Sequence, residues 1–202
     1  MCDSPEKESA LSLARGRMVR SRELEALGVS RVRLRQLVAQ GILKRIRRGL
    51  YTAADDEAFH EHESLAEVAA RSPKSVICLL SALRFHDLTT ENPSEVYLFL
   101  PPGTRRPHIS SPQLAVFWTS EATYRAGVEE HVILGVRVKI TSPAKTIADC
   151  FKYRSKVGIN VAVEALNEAW RRRKATADEL WRYAKLCRMS NVMRPYFESM
   201  TI

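Results

Sequence analysis

Residues 31–40 carry side chains that could read the edges of DNA bases. Arginine can form two hydrogen bonds with guanine, glutamine can do the same with adenine, and valine can contact the methyl group of thymine. In a helix, Val32, Arg35 and Gln36 share one face, and Ala39 lies one turn further along it. The segment contains no acid, whereas a helix that only needed solubility would more often mix acids with bases. We therefore take this face as a candidate surface for the major groove.

Local signals predict the elements that must hold this face in place. Ser30 is a candidate N-cap, because its hydroxyl can accept a hydrogen bond from an amide of the first helical turn, and Gly41 closes the helix. Ser21 is the corresponding candidate for a helix over residues 22–27, which ends at Gly28. A helix, a short turn with glycine and a second helix form the helix-turn-helix signature.

Apolar side chains at helical spacing predict a small core behind this surface. Another short helix is expected near residues 10–14. The residues predicted to face inward are Leu11, Leu13, Leu24, Leu27, Leu34, Leu37 and Val38. Burial of the last three would turn the polar side chains of the third helix outward.

A β-hairpin, here called the wing, is predicted directly after the third helix. Residues 42–46 form the first strand, residues 47–49 the turn and residues 50–52 the returning strand, with Gly49 supplying the positive φ of a short turn. The wing carries four cations, namely Lys44, Arg45, Arg47 and Arg48. These cations repel one another unless an anion lies opposite, so the wing is a candidate contact for phosphates.

The net charge of the chain is concentrated in the same region. Residues 15–48 hold eleven basic and two acidic residues, so their net charge of +9 equals that of all 202 residues. A concentrated positive field inside a cell most often faces nucleic acid. The candidate DNA-contacting residues are Arg20, Arg22, Ser30, Arg31, Val32, Arg33, Arg35, Gln36, Lys44, Arg45, Arg47 and Arg48.

At this point the sequence resembles a known family. The run MVRSRELEALGVSRVRLRQLVAQGILKRIRRGLYT is similar to the N-terminal winged helix-turn-helix of the AbiEi family, the antitoxins and transcriptional regulators of type IV toxin–antitoxin systems. The residues that match the family pattern are Gly28, Ser30, Gly41, Gly49 and Tyr51. The resemblance continues more loosely at residues 81–83 and 86–88, where Asp87 replaces the usual Gly, and at residues 141–146.

The resemblance implies a repressor that binds double-stranded operator DNA and represses its own toxin–antitoxin operon. It also implies that the C-terminal domain counteracts a toxin resembling a nucleotidyltransferase, without requiring a stable complex with it. Self-association on DNA is compatible with this function. The antitoxin role follows from the resemblance alone, since nothing in the composition points to it.

The remainder of the chain predicts an α+β domain. We expect the winged helix-turn-helix to occupy residues 1–54 and the α+β domain to occupy residues 55–202. Helices are predicted over residues 58–71, 76–84, 142–153 and 158–172, from Thr176 and from Ser190, and strands over residues 95–100, 113–119, 131–134 and 136–140. A small sheet backed by several helices follows from this order.

No catalytic or metal-binding motif stands out in the sequence. The four cysteines are isolated, which indicates reduced thiols rather than a zinc site or a disulfide framework. His60 and His62 diverge on a helix and make poor joint metal ligands. Basic residues at 105–106 and 171–174 are read as a turn and a helix end rather than as further nucleic-acid contacts.

We therefore expect a cytoplasmic regulator without enzymatic activity, cofactor, metal or membrane segment. Two alternatives remain open at the level of the sequence. The first is a nuclease that the same N-terminal module directs to its DNA target. The second is a regulator whose second domain senses a ligand.

The concentrated charge generates a prediction about affinity for DNA. If about seven of the cations meet phosphates, the logarithm of the binding constant should fall with the logarithm of salt concentration with a slope of about −5 to −7. Titration of a DNA duplex with the protein at several salt concentrations measures this slope. A slope shallower than about −2 would contradict a DNA-binding role for this segment.

Overall fold

A computed structural model describes residues 5–54 and 62–200 of the 202-residue chain. Helices and sheets are both present, which confirms the predicted α+β class. Among the described helices, none is long and apolar enough to cross a lipid bilayer.

The chain divides into two compact units. The first comprises residues 1–66 with 132–137, and the second comprises residues 67–131 with 138–202. The domain division predicted between residues 54 and 55 stays a prediction, because residues 55–61 lie outside the described part of the chain.

The first unit has the element order of a winged helix-turn-helix. Its elements are α1 Pro5–Ala14, β1 Val19–Arg20, α2 Ser21–Ala26, α3 Arg31–Ala39, β2 Leu43–Arg47 and β3 Leu50–Ala53. The third strand is central and pairs antiparallel with both β1 and β2. The two-residue strand β1 was not predicted from the sequence, because so short a strand has no readable periodicity.

The core of the first unit forms where α1, α2, α3 and the sheet meet. Its buried residues are Ala10, Ala14, Val19, Leu24, Val29, Leu34, Leu37, Leu43 and Ala53. The inward positions predicted for α1 are wrong in part, since Ala10 and Ala14 are fully buried while Leu11 and Leu13 are only partly buried. Small side chains let α1 approach β3, and the Thr52 hydroxyl donates to the carbonyl of Ala14 at 3.4 Å.

Two predictions around α2 are also wrong. Leu27 is 46% exposed, because α2 ends at Ala26 and the backbone turns away before Leu27 can share the face of Leu24. Ser21 is the first helical residue rather than the N-cap, which is Arg20. The amide of Ser21 donates to the Gly49 carbonyl at 3.0 Å, so pairing with the wing strand continues to the start of the helix.

The chain beyond the wing contains helices and strands in mixed order. The elements are α4 Glu63–Arg71, β4 Val76–Ile77, α5 Leu79–Phe85, β5 Glu95–Leu100, β6 Gln113–Trp118, α6 Glu121–Arg125, β7 Val128–Ile133, β8 Val136–Thr141, α7 Pro143–Lys152, α8 Arg154–Val157, α9 Ile159–Arg171, α10 Ala177–Cys187 and α11 Ser190–Met200. The strands form a five-stranded sheet of order β6-β5-β4-β8-β7 within the described residues.

The sheet explains why the helix predicted over residues 76–84 begins too early. Val76 and Ile77 are strand residues that pair antiparallel with β5, and Ile77 also pairs parallel with Ile140 of β8. Both side chains are buried. The backbone groups of these two residues form hydrogen bonds only with strands that are distant along the chain. The local sequence therefore does not show that they form a strand.

Most other boundaries agree with the predictions to within a few residues. Ser142 and Thr176 cap α7 and α10 as predicted, through hydrogen bonds from the third helical amide of each. The short helices α6 and α8 were missed. The predicted helix over residues 58–71 is confirmed only from Glu63 onward, because residues 55–61 lie outside the described part of the chain.

Helix α7 is buried on all sides, from Ala144 to Phe151. It nevertheless contains Lys145 and Asp149, which are four residues apart and form an ion pair of 2.5 Å with both side chains fully buried. The Cys187 thiol donates to the other carboxylate oxygen of Asp149 at 3.4 Å. Burial raises the pKa of Cys187 to about 12, so the thiol keeps its proton at neutral pH. Burial also raises the pKa of Asp149, against the opposing effect of Lys145.

A glycine allows the chain to pass close to this pair. Gly127 has a φ of +60°, and a Cβ placed on it would lie 2.7 Å from the Cβ of Lys145 and 2.9 Å from the ring of Tyr183. The carbonyl of Gly127 accepts a hydrogen bond of 2.7 Å from the amide of Ser142, just before α7. The close approach therefore requires glycine for both its backbone conformation and its lack of a side chain.

The buried pair generates a prediction about stability. Lys145→Met should lower the free energy of unfolding of the second unit by about 3–5 kcal/mol, because it leaves the Asp149 carboxylate buried without its cation. Equilibrium unfolding of the full chain in urea measures it, with the exposed Lys185→Met as matched control. Adding Asp149→Leu should recover part of the loss, since the uncompensated charge is then removed. A Lys145→Met variant as stable as the control would contradict the prediction.

Candidate nucleic-acid interface

The third helix presents the face that its sequence predicts. The Ser30 hydroxyl accepts from the amide of Arg33 at 3.2 Å and so caps α3, as predicted. Leu34 and Leu37 are buried. With these two side chains fixed in the core, the opposite side of the helix must face solvent, and Val32 is 65% exposed. The other exposed residues of this helix are Arg31, Arg35, Gln36 and Ala39.

The arginines of α3 differ in their electrostatic environment. Arg31 forms an ion pair of 2.9 Å with Glu25 of α2, and this hydrogen bond raises the pKa of Arg31. Arg33 lies 3.8 Å from a carboxylate oxygen of Glu6 and donates to the Gln36 amide oxygen at 3.2 Å. Arg35 forms no ion pair with any described residue. In this helix Arg31 and Arg33 are therefore partly neutralised, whereas Arg35 is available to a ligand.

The wing is a short two-stranded ribbon with its turn at Arg48 and Gly49. Lys44 lies opposite Thr52 and Arg45 opposite Tyr51, and the register shifts between Arg45 and Arg47. Gly49 has a φ of +78°, which the turn requires. The predicted turn began one residue too early, since Arg47 still belongs to β2.

The wing cations also differ from one another. Lys44 lies 3.5 Å from a carboxylate oxygen of Glu63. Arg48 is exposed and has no ion pair within the described part of the chain. The structure does not describe the side chain of Arg47, so its predicted contact with DNA stays a prediction.

Two further candidates lie near the start of α2. Arg20 ends β1, pairs with Leu50 in the sheet, and its amide donates to the Glu23 carboxylate at 2.7 Å. Arg22 is exposed on α2 and has no ion pair with the residues described. The structure thus brings the candidates from α2, α3 and the wing together in one small unit.

Sequence reasoning missed which acids pair with these cations. Glu6 and Glu63 lie outside the basic segment along the chain, yet each pairs with one of its cations. Glu25 pairs with Arg31 across the turn between two helices. No spacing rule links these partners, because the pairs form between different elements. The positive field at the surface is therefore smaller than a count along the sequence indicates.

Four of the six basic residues at 105–106 and 171–174 have partners within the chain. Arg106 donates to the carbonyl of Leu114 at 2.8 Å. Arg171 and Arg172 form ion pairs of 2.7 and 2.8 Å with Glu168, and Lys174 lies 3.6 Å from the Asp87 carboxylate. These contacts support the interpretation of both stretches as structural.

The second unit shows no metal centre in the described residues, where no three His, Cys, Asp or Glu side chains are grouped to hold an ion. The Nε2 atom of His86 lies 2.8 Å from the carbonyl oxygen of Thr141, and burial lowers the pKa of His86. Of the two histidines considered as joint metal ligands, His60 and His62, His60 lies outside the described residues.

The winged helix and its basic surface can be compared with known proteins. Residues 8–54 match the AbiEi antitoxin family. The description of that family model is "Transcriptional regulator, AbiEi antitoxin". This match confirms the resemblance seen in the sequence, over the winged helix-turn-helix. The description names a regulator rather than an enzyme.

A solved structure extends the comparison to most of the chain. The crystal structure of the RV2827C protein from Mycobacterium tuberculosis is similar with a TM-score of 0.59 and 15% sequence identity. The similarity covers 88% of this chain and 69% of that one. At this level of identity it supports the fold, including both units, and says nothing about activity. A comparison with curated proteins gave no match.

Proposed function

We propose that this protein is a sequence-specific DNA-binding repressor that controls its own toxin–antitoxin operon. The observation that carries the proposal is the outward face of α3, which is free of acids and is followed by a cationic wing. This surface lies on a winged helix whose residues match an AbiEi antitoxin regulator. The proposed partner is double-stranded operator DNA, and self-association of protomers on that DNA is compatible with it.

The two parts of the surface would divide the work of binding. Val32 and Gln36 are exposed on α3, where a helix in the major groove meets base edges. Arg48 lies in the turn of the wing, where a cation meets phosphates or a narrow minor groove. We assign sequence reading to the helix and anchoring to the wing, together with Arg22 on α2.

The direct test is a footprint of the full chain on a DNA fragment that carries its own promoter. Gln36→Ala should weaken binding to the protected site by about 1–3 kcal/mol and hardly change binding to random DNA, because base contacts provide specificity. Arg48→Ala should weaken binding to both by a similar factor, since phosphates carry no sequence information. Identical behaviour of the two variants on both DNAs would refute this division, and the absence of any protected site would refute the repressor.

The second part of the proposal assigns the antitoxin role to the second unit. Its support is the antitoxin description of the matching family and the earlier resemblance at residues 141–146, where the buried helix α7 begins. The proposed antagonist is a toxin resembling a nucleotidyltransferase, counteracted without a required stable complex.

Expression from an unrelated promoter separates this role from repression. A full chain carrying Gln36→Ala and Arg48→Ala should be unable to repress, yet it should still rescue cells that express the neighbouring toxin, because the second unit is unchanged. The measurement is colony survival, with the unmodified chain as control. Loss of rescue in the double variant, at equal protein level, would show that DNA binding itself provides the protection.

A further inference from the structure

A cleft of about 360 Å³ separates α3 from the wing in the first unit. Four arginines and two hydroxyl-bearing residues border it, and no carboxylate is among the described residues that line it. The lining residues are Ser21, Arg31, Leu34, Arg35, Arg45, Arg48, Gly49 and Tyr51. The cleft is therefore bordered by donors that suit an anion with several acceptor oxygens.

Two of the arginines that border the cleft form no ion pair with an acid in the described part of the chain. Arg31 has Glu25 as its partner at 2.9 Å, but Arg35 and Arg48 have no ion pair among the residues that are described. The guanidinium groups of Arg35 and Arg48 therefore give the cleft a local excess of positive charge. Arg35 and Arg48 repel each other across the cleft, and binding of an anion between them would relieve this repulsion.

The walls of the cleft are held by the fold rather than by flexible segments. Leu34 is buried and fixes the position of α3, one residue before Arg35. Arg45 lies opposite Tyr51 in the ladder of β2 and β3. The turn at Gly49 is bound to the start of α2 through the hydrogen bond from the amide of Ser21 at 3.0 Å. Arg35 on α3 and Arg48 in the turn of the wing thus border one space whose backbone is held in place, which reduces the ordering that a ligand must impose.

We propose that this cleft binds one backbone phosphate of duplex DNA, shared by Arg35 from the helix and Arg48 from the wing. This proposal rests on the proposed function. It replaces the base contact that the sequence alone suggests for Arg35, and it leaves base reading to Val32 and Gln36, which do not line the cleft. A phosphate suits the site better than a base edge does, because base edges carry no net charge to offset Arg35 and Arg48.

Salt dependence tests whether the two arginines share a phosphate. The full chain and the variants Arg35→Ala, Arg48→Ala and the double variant are titrated with one random duplex at several salt concentrations. Each B-DNA phosphate neutralised contributes about 0.9 to the slope of log K against log salt. The double variant should lose about 0.9 in total, and its fold loss in affinity should be smaller than the product of the two single losses. The exposed Arg194→Ala in the second unit is the matched control and should leave the slope unchanged.

A loss of about 1.8 in slope, with multiplicative fold losses, would overturn the shared site by showing two separate phosphates. A loss of affinity by Arg35→Ala on the promoter site alone, with random DNA unaffected, would also overturn it, because Arg35 would then contact a base. In both outcomes the unmodified chain still binds DNA, so the repressor proposal stands. If the unmodified chain shows no salt-dependent binding, the proposed function fails and this inference fails with it.

Neutral methylphosphonates placed singly in the protected promoter site identify the phosphate. The unmodified chain should lose affinity at the position that meets the cleft, and the double variant should no longer be sensitive there. Gln36→Ala should keep that sensitivity, because its side chain does not border the cleft. Unchanged sensitivity of the double variant at every position would refute the phosphate contact.

Discussion

The burial of Leu34 and Leu37 is the constraint on which the proposed DNA-binding surface depends. Both side chains are almost completely removed from water in the small core of the first unit. Burial of two leucines stabilises the unit by about 3–6 kcal/mol, which is large for so small a core. A rotation of α3 that exposed them would lose this stabilisation. The outward direction of Val32, Arg35 and Gln36 is therefore a consequence of core packing and not of the polar residues themselves.

The central strand β3 extends this constraint to the wing. It pairs with β1 on one side and β2 on the other, so the wing, the start of α2 and the core belong to one hydrogen-bonded sheet. The Ser30 cap then fixes where α3 begins relative to that sheet. Specific recognition requires side chains held on rigid elements, and the winged helix meets this requirement with very few residues.

The second unit is organised around a different interaction. Helix α7 lies in the middle of its core with Lys145 and Asp149 paired inside it. Such a pair contributes little net stability compared with apolar residues, but either partner alone would be costly. The thiol of Cys187 and the close passage of Gly127 complete the surroundings of the pair. The hydrogen bond from the Cys187 thiol thus connects the ion pair of α7 to α10.

Several features of this protein were determined by the sequence alone. The cap at Ser30, the inward Leu34 and Leu37, the wing with its glycine turn and the strand Glu95–Leu100 are all local signals, and the structure confirms them. The similarity of the N-terminal segment to the AbiEi family was also readable, because glycines and a capping serine at fixed spacing carry it. Each of these features depends on residues only a few positions apart.

Other features were decided only by tertiary structure. The strands β1 and β4 are two residues long and exist because distant strands pair with them. The buried state of Lys145 could not be read from a helix that otherwise looks amphipathic. Glu6 and Glu63, which lie outside residues 15–48, reduce the positive charge of the proposed DNA-binding surface by pairing between elements. Hydrogen bonds and ion pairs of this kind depend on distance in space, and separation along the chain does not encode that distance.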